Sequence, residues 1–468
     1  MQTKRVLTSW MIAMINVAAI CNIQNFALMA EYGLAMVFFL IFSSICFFIP
    51  VSLVSAELAS GWSDRGVYTW VKEGLNPCLG FLAIWLQWIQ NVFWYPTILS
   101  FAAATFSYIF MPQLAENRIY LLSIILSTFW AATLVSLFGM RISGWISTIS
   151  ALFGTILPIA LILILGIVWL FKGLPSQIDF SFKSILPDLS SFKELVLLSG
   201  FIFSLSGLEM SAIHAKDAAY PKTDYPKAIF LSAAMIVTLS ILGSVTVATI
   251  VPHNSIELTS GGMEAFRAIF TAFGIPWAIP IIAAIVTFGA LGMMSTWIVG
   301  PSRGLLATAV DGDFPPLLQK MNKNSMPVAI FILQAIIVSI LSLIFLYMPN
   351  ISTSYWILIA MAAKLYMIMY ILMFISAIRL RYIKPHVERA YRVPGGMIGM
   401  WIVSGLGICS SIFALIISFI PPSQLATGSL ALYESILIGG SIFFCGLPLL
   451  IYWMRKPEWK RTPSAAAS

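Results

Sequence analysis

Charge is what this 468-residue chain has least of. Only 9% of its residues are charged, against about 25% in ordinary soluble domains. That excludes a soluble multidomain enzyme, and it excludes a disordered chain, which needs low hydrophobicity and high net charge. Cysteine and histidine are nearly as sparse, at five and three residues. Cys21, Cys46, Cys409 and Cys445 lie in apolar runs and Cys78 in a loop, so neither a disulfide framework nor a CxxC metal spacing is present. His214, His253 and His386 are too scattered to form a metal cluster. The aspartates fall in loops or at the ends of apolar runs, and the chain has no HExxH string and no serine–histidine pair inside a run. The usual constellations of an intramembrane hydrolase are therefore missing, and the chain reads as a non-enzyme. Nor does any filter-like motif or run of pore-lining charge point to a channel.

What is present is apolar. Sixty per cent of the residues are hydrophobic and the mean hydropathy is +0.95. A membrane-spanning helix takes about 20 apolar residues. Hydropathy marks twelve such segments, at about 6–31, 34–58, 79–111, 119–138, 142–171, 195–217, 226–251, 275–303, 327–348, 354–380, 397–420 and 432–454. The expected fold is an all-α membrane protein forming one transporter-like domain over residues 1–468. With the N-terminus inside, 20 of the 26 lysines and arginines fall on the cytoplasmic side, five outside, and Lys364 within a span. That bias predicts a multi-pass protein with both termini cytoplasmic. It also explains the net charge of +8 without a nucleic-acid partner. Lys4 and Arg5 ahead of an apolar run imitate a signal peptide, but the apolar character continues past Ile20 and Cys21, so the segment is expected to stay as the first span.

Two spans are interrupted by polar residues. The first carries Asn22, Gln24 and Asn25 beside Cys21 and Ile23, and the sixth carries Ser204, Ser206, Gly207 and Glu209. Glycine favours loss of helical order, and serines satisfy the backbone groups this frees. Glu209 is the acid that stands clearly within a span, where charge costs about 2.5–3.5 kcal/mol on insertion scales, so it should not face lipid. Polar clusters of this kind also serve as packing glue between helices. Their occurrence in the first and sixth spans instead suggests a five-plus-five inverted repeat, with broken helices 1 and 6 meeting at a midplane site. The repeats would cover 6–171 and 195–380, with 397–454 holding the last two helices. Unwound N–H groups attract a carboxylate and free carbonyls accept from an ammonium, so such a site suits a zwitterion.

Several strings resemble a known family. The loop Gly61-Trp62-Ser63-Asp64-Arg65-Gly66, and Gly207-Leu208-Glu209 in the sixth span, resemble elements of the amino acid–polyamine–organocation transporters. Trp297-Ile298-Val299-Gly300-Pro301-Ser302, Arg392-Val393-Pro394-Gly395-Gly396 and Ser418-Phe419-Ile420-Pro421-Pro422 resemble the bacterial glutamate/γ-aminobutyrate antiporter branch. The resemblance implies a twelve-helix alternating-access exchanger of the bacterial inner membrane. It works on a small amino acid, needs no cofactor, sits in membrane lipid and occurs as a monomer or homodimer. It assigns substrate contact to Cys21, Asn22, Ile23 and Gln24, to Phe203, Ser204, Ser206 and Gly207, and to Met293, Tyr366 and Tyr370. Glu209, Lys364 and Phe203 receive coupling or gating roles, with Phe203 closing over bound substrate. Met293 replaces a glutamate of the glutamate exchanger, and Lys364 stands where that relative is apolar. An acid lost and a base gained point to a small neutral amino acid, with glutamate/γ-aminobutyrate exchange and proton-coupled import as alternatives.

Overall fold

The computed structural model describes residues 8–62, 65–139, 149–187, 195–196, 198–210, 221–253, 256–421 and 429–460. Every expected span contains described helix. The start of the fifth span, 142–148, and the end of the sixth, 211–217, lie outside the described residues. No strand occurs among the described residues beyond one isolated bridge between Met321 and Pro327. Among the described residues nine helices are long and apolar enough to cross a membrane, and the bent first pair makes a tenth; the fold is that of an all-α membrane protein.

The first span is two helices. α1 (Ser9–Ile20) and α2 (Ile23–Ala30) meet at an angle of 57°. The break follows from Asn22, whose side chain accepts from the N–H of Gln24 at 3.1 Å and so caps a new helix start. α3 (Gly33–Gly61) is followed by the short α4 (Val67–Gly74) and by α5 (Pro77–Ser107). Asn76 caps α5 through the N–H of Leu79 at 2.9 Å, and Pro77 opens it where no amide bond is needed. α6 (Arg118–Ser136) and α7 (Leu157–Phe171) complete the first half, α7 being preceded by a π-helical segment, Ser150–Ile156. The sixth span holds α8 (Leu198–Ser204), and α9 (Pro221–Ile250), α10 (Gly261–Ala272), α11 (Ile279–Ala307) and α12 (Val328–Ser342) follow. α13 (Ile351–Ile383), α14 (Gly396–Ile417) and α15 (Leu430–Trp453) close the chain.

Burial separates the centre from the lipid face. The apolar window of α13 is 83% buried, that of α15 only 11%, so α13 is an inner helix and α15 a peripheral one. α5 packs along both α13 and α11. α11 also crosses the π-helical segment at glycines. A Cβ on Gly154 would lie 2.2 Å from Gly289 Cα, and one on Gly292 would lie 1.9 Å from Ser150 Cβ. Small residues at such crossings let backbones approach closely where van der Waals contact holds helices together.

Ion pairs hold the described residues on either side of positions 63–64. Glu57 is buried; it accepts from Arg381 Nε at 2.9 Å and Nη2 at 2.6 Å, and from the N–H of Val393 at 2.7 Å, with Arg389 Nε at 3.5 Å. Arg65, Lys72 and Tyr68 converge on Asp311, at 2.8, 2.9 and 2.6 Å, and Tyr68 also donates to Asp313. Arg455 reaches Asp313 at 2.9 Å. The sequence reading singled out Glu209 as the acid within a span. Glu57 is a second buried acid, at the end of α3, masked in the sequence because its arginines lie more than 300 residues downstream.

At the opposite end of α3, Glu31 is the first residue after α2, so the first span closes at Ala30, one residue earlier than hydropathy marks it, and Glu31 lies outside it. Burial first, and then the nearby Glu257 carboxylate, raise its pKa from 4.5 to about 7. His253 Nδ1 stands 3.6 Å away, and Glu257 accepts from Ser352. A carboxyl raised in the folded state keeps a proton that the unfolded chain loses, so stability falls as pH rises from about 4.5 to 7. Glu31→Gln, neutral at every pH, should remove that decline. Thermal unfolding in detergent should show little difference from wild type at pH 5. A higher midpoint is expected for the variant at pH 8, corresponding to roughly 3 kcal/mol at most.

Candidate functional site

The two helix breaks face each other across a cavity. In the sixth span, α8 ends at Ser204, and Leu205, Ser206 and Gly207 are non-helical before a single 3₁₀ turn at Leu208–Met210. Gly207 has φ +108°, in the region that favours glycine, and a Cβ there would lie 2.9 Å from the Trp297 ring. Its N–H donates to Tyr370 Oη at 2.8 Å. In the first span, the Asn22 N–H and Ile23 N–H make no hydrogen bond to a described acceptor, as the first amides of α2.

The cavity leaves about 60 Å³ for the centre of a water-sized sphere, room for a few water molecules in this conformation. The first span contributes Ala19, Ile20, Asn22 and Asn25, and the sixth contributes Phe203, Ser204 and Ser206. α5 supplies Gln90, Asn91 and Trp94; α11 supplies Met293 and Trp297; α13 supplies Tyr366. Among the described lining residues none carries a formal charge. Phe203 meets Tyr366 edge-on, with ring centroids 6.3 Å apart, and Asn22 Nδ2 points at Met293 Sδ at 3.6 Å.

Glu209 lies behind this lining. Its carboxylate accepts from Tyr366, from Tyr370 and from Gln87 Nε2, the last at 3.1 Å. The Tyr366 and Tyr370 rings are 4.8 Å apart, one turn apart on α13. One buried acid therefore ties the sixth-span break to α13 and α5, and Tyr366 belongs to both the acid's shell and the cavity wall. That arrangement can pass a change at the cavity to Glu209 without exposing the carboxylate.

The structure brings Asn22, Phe203, Ser204, Ser206, Met293 and Tyr366 to the cavity. Tyr370 and Gly207 stand one layer back, at Glu209. Gln24 turns away, donating to Tyr355 Oη at 2.8 Å. Cys21 is buried and is not among the residues lining the cavity. Ile23 lines a much smaller neighbouring gap with Asn22 and Met293. Lys364 is not brought to the cavity either. Two positions from Tyr366, it points to another face of α13, where its ammonium donates to the Ser418 carbonyl at 2.6 Å and lies 4.1 Å over the Phe419 ring. It caps the C-terminal end of α14 by donating to a carbonyl that the helix leaves free. Lys364→Met should therefore leave the ranking of competing amino acids within about twofold of wild type, as expected of a change outside the binding contacts. Competition assays on the two proteins check this.

Sequence reasoning passed over α5. Gln87, Gln90, Asn91 and Trp94 recur at i, i+3, i+4 and i+7, the spacing of one helix face, and three amides on one face of an apolar run were the available signal.

Comparison with known proteins agrees with this architecture. The family model described as amino acid permease matches residues 7–443. A Legionella pneumophila protein named as an uncharacterized transporter is 42% identical over 96% of this chain and 97% of its own length. A Lactococcus lactis glutamate/gamma-aminobutyrate antiporter is 31% identical over 92% of this chain and 87% of its own. A probable agmatine/putrescine antiporter of the same species is 24% identical, with 88% of each chain covered. An uncharged cavity between two broken helices, in a twelve-helix frame matched almost end to end, places this chain in the amino acid permease family of the amino acid–polyamine–organocation superfamily.

Proposed function

We propose that this protein exchanges small neutral amino acids across the bacterial cytoplasmic membrane by alternating access, with both termini cytoplasmic. The observation that carries the reading is a cavity between the two interrupted spans whose described lining has no charged side chain. The free amides at the start of α2 suit the substrate carboxylate, and the carbonyls ending α1 suit its ammonium. A side chain bearing full charge finds no opposite charge in the lining, and burying it unpaired is costly. The two antiporters among the relatives support exchange as the mode of transport. Met293, in place of the acid noted above, and Lys364, turned away to α14, argue against glutamate as the preferred cargo. Phe203, on the cavity wall against Tyr366, is suited to close over bound substrate.

One observation favours a second reading, proton-coupled import. Glu209 shares Tyr366 with the cavity, so a proton on that carboxyl would alter a residue that touches cargo. Liposomes containing the purified protein separate the two. Exchange predicts saturable uptake of labelled neutral amino acids only when the vesicles are loaded with amino acid. Uptake into empty vesicles, driven by an inward proton gradient, would establish import instead.

A further inference from the structure

Two side chains on the α5 wall are set up alike. Asn91 Nδ2 donates to the Gln87 carbonyl at 2.8 Å, and Gln90 Nε2 donates to the same oxygen at 3.3 Å. A backbone carbonyl only accepts, so each amide must turn its nitrogen toward it, which fixes both orientations. Asn91 Oδ1 and Gln90 Oε1 are left with no described donor, on side chains that are each 2% exposed and line the cavity. Neither oxygen is sealed off from the cavity, so each is open to a hydrogen bond from water or from a ligand, and this wall suits a ligand that donates.

From this geometry we infer that Gln90 and Asn91 read the substrate's side chain, and that they select one ending in a neutral hydrogen-bond donor, foremost a carboxamide. The inference rests on the amino-acid exchange proposed above and narrows it. A terminal –NH₂ supplies two donors to two acceptors. A carboxylate in the same place sets acceptors against acceptors, and a thioether or methyl end leaves both oxygens unanswered. Sites built to hydrogen-bond a substrate group reject analogues that lack it more strongly than apolar pockets sort by size. Glu209 does not substitute for a cation or an open anion here, because Tyr366, Tyr370 and Gln87 already bond its carboxylate.

The test uses vesicles loaded with glutamine and given labelled glutamine outside, challenged with unlabelled glutamine, glutamate, methionine and alanine. Methionine and glutamate match glutamine closely in size and differ at the terminal group. Glutamine should compete at least tenfold more strongly than either. Asn91→Leu and Gln90→Met should each lower that advantage about tenfold, read as the ratio of glutamine to methionine competition on the same vesicles. Trp94 and Trp297 line the same cavity, so tryptophan fluorescence on the purified protein gives the binding order independently of turnover. Equal competition by methionine or glutamate in the wild-type protein would overturn the subsite, whatever the variants do. Exchange of another neutral amino acid but not of glutamine would likewise remove the subsite and keep the transport reading. No exchange of any amino acid, with no fluorescence response, would remove both.

Discussion

Glu209→Gln is expected to abolish amino-acid exchange while leaving the protein folded and monodisperse. The carboxylate accepts from three donors on two other helices, and hydrogen bonds to an ionised acceptor are roughly twice as strong as neutral ones. An amide keeps the volume but offers one acceptor oxygen, so at least one of Tyr366, Tyr370 and Gln87 must find a new partner. The link that joins the sixth-span break to α13 and α5 is thereby loosened without emptying the space. Exchange assays across pH on the variant, with gel filtration to confirm folding, check the expectation. Wild-type kinetics at every pH would remove Glu209 from the mechanism.

Gly289→Ala should be among the most damaging small substitutions in the spans. A Cβ at this position would sit 2.0 Å from the Gly154 carbonyl oxygen, a contact that only a shift of one whole helix relieves. Overpacking of this kind typically costs about 1–3 kcal/mol and at times more. The same change at Gly446 in α15 meets nothing within 4 Å, where exchanging glycine for alanine favours the helix by roughly 0.8–1.0 kcal/mol. Thermal unfolding of the two variants should therefore move in opposite directions. A Gly289→Ala protein as stable as wild type would mean that α11 and the π-helical segment do not cross at that glycine.

The span count and the two broken helices were legible because they are local signals. Runs of apolar residues announce the spans, and Asn22 close to Gln24, or Gly207 after Ser204 and Ser206, announces a break inside one. Contacts across the bundle were not legible in the same way. Lys364 received a coupling or gating role, although its two-residue offset from Tyr366 on one helix already sets the two on different faces. Only the packing of α14 against α13 shows that its ammonium caps a helix end 54 residues later. Glu57 escaped notice because it lies near a span end, where charge is ordinary, and its partners Arg381 and Arg389 are distant in sequence. The α5 amides were readable in principle. Their helical spacing was present, but nothing in one helix says which face looks into a cavity.

The central claim is that cargo passes through the cavity between the broken helices, and cysteine protection tests it most directly. In a background with Cys21, Cys46, Cys78, Cys409 and Cys445 replaced by serine, Ser204→Cys puts a thiol on the cavity wall. Ser176→Cys puts one on an exposed loop as a control. A small methanethiosulfonate reagent should label both, and a transported amino acid at saturating concentration should slow labelling at position 204 several-fold and leave position 176 unchanged. A transported amino acid that leaves the rate at position 204 unaltered would contradict the account.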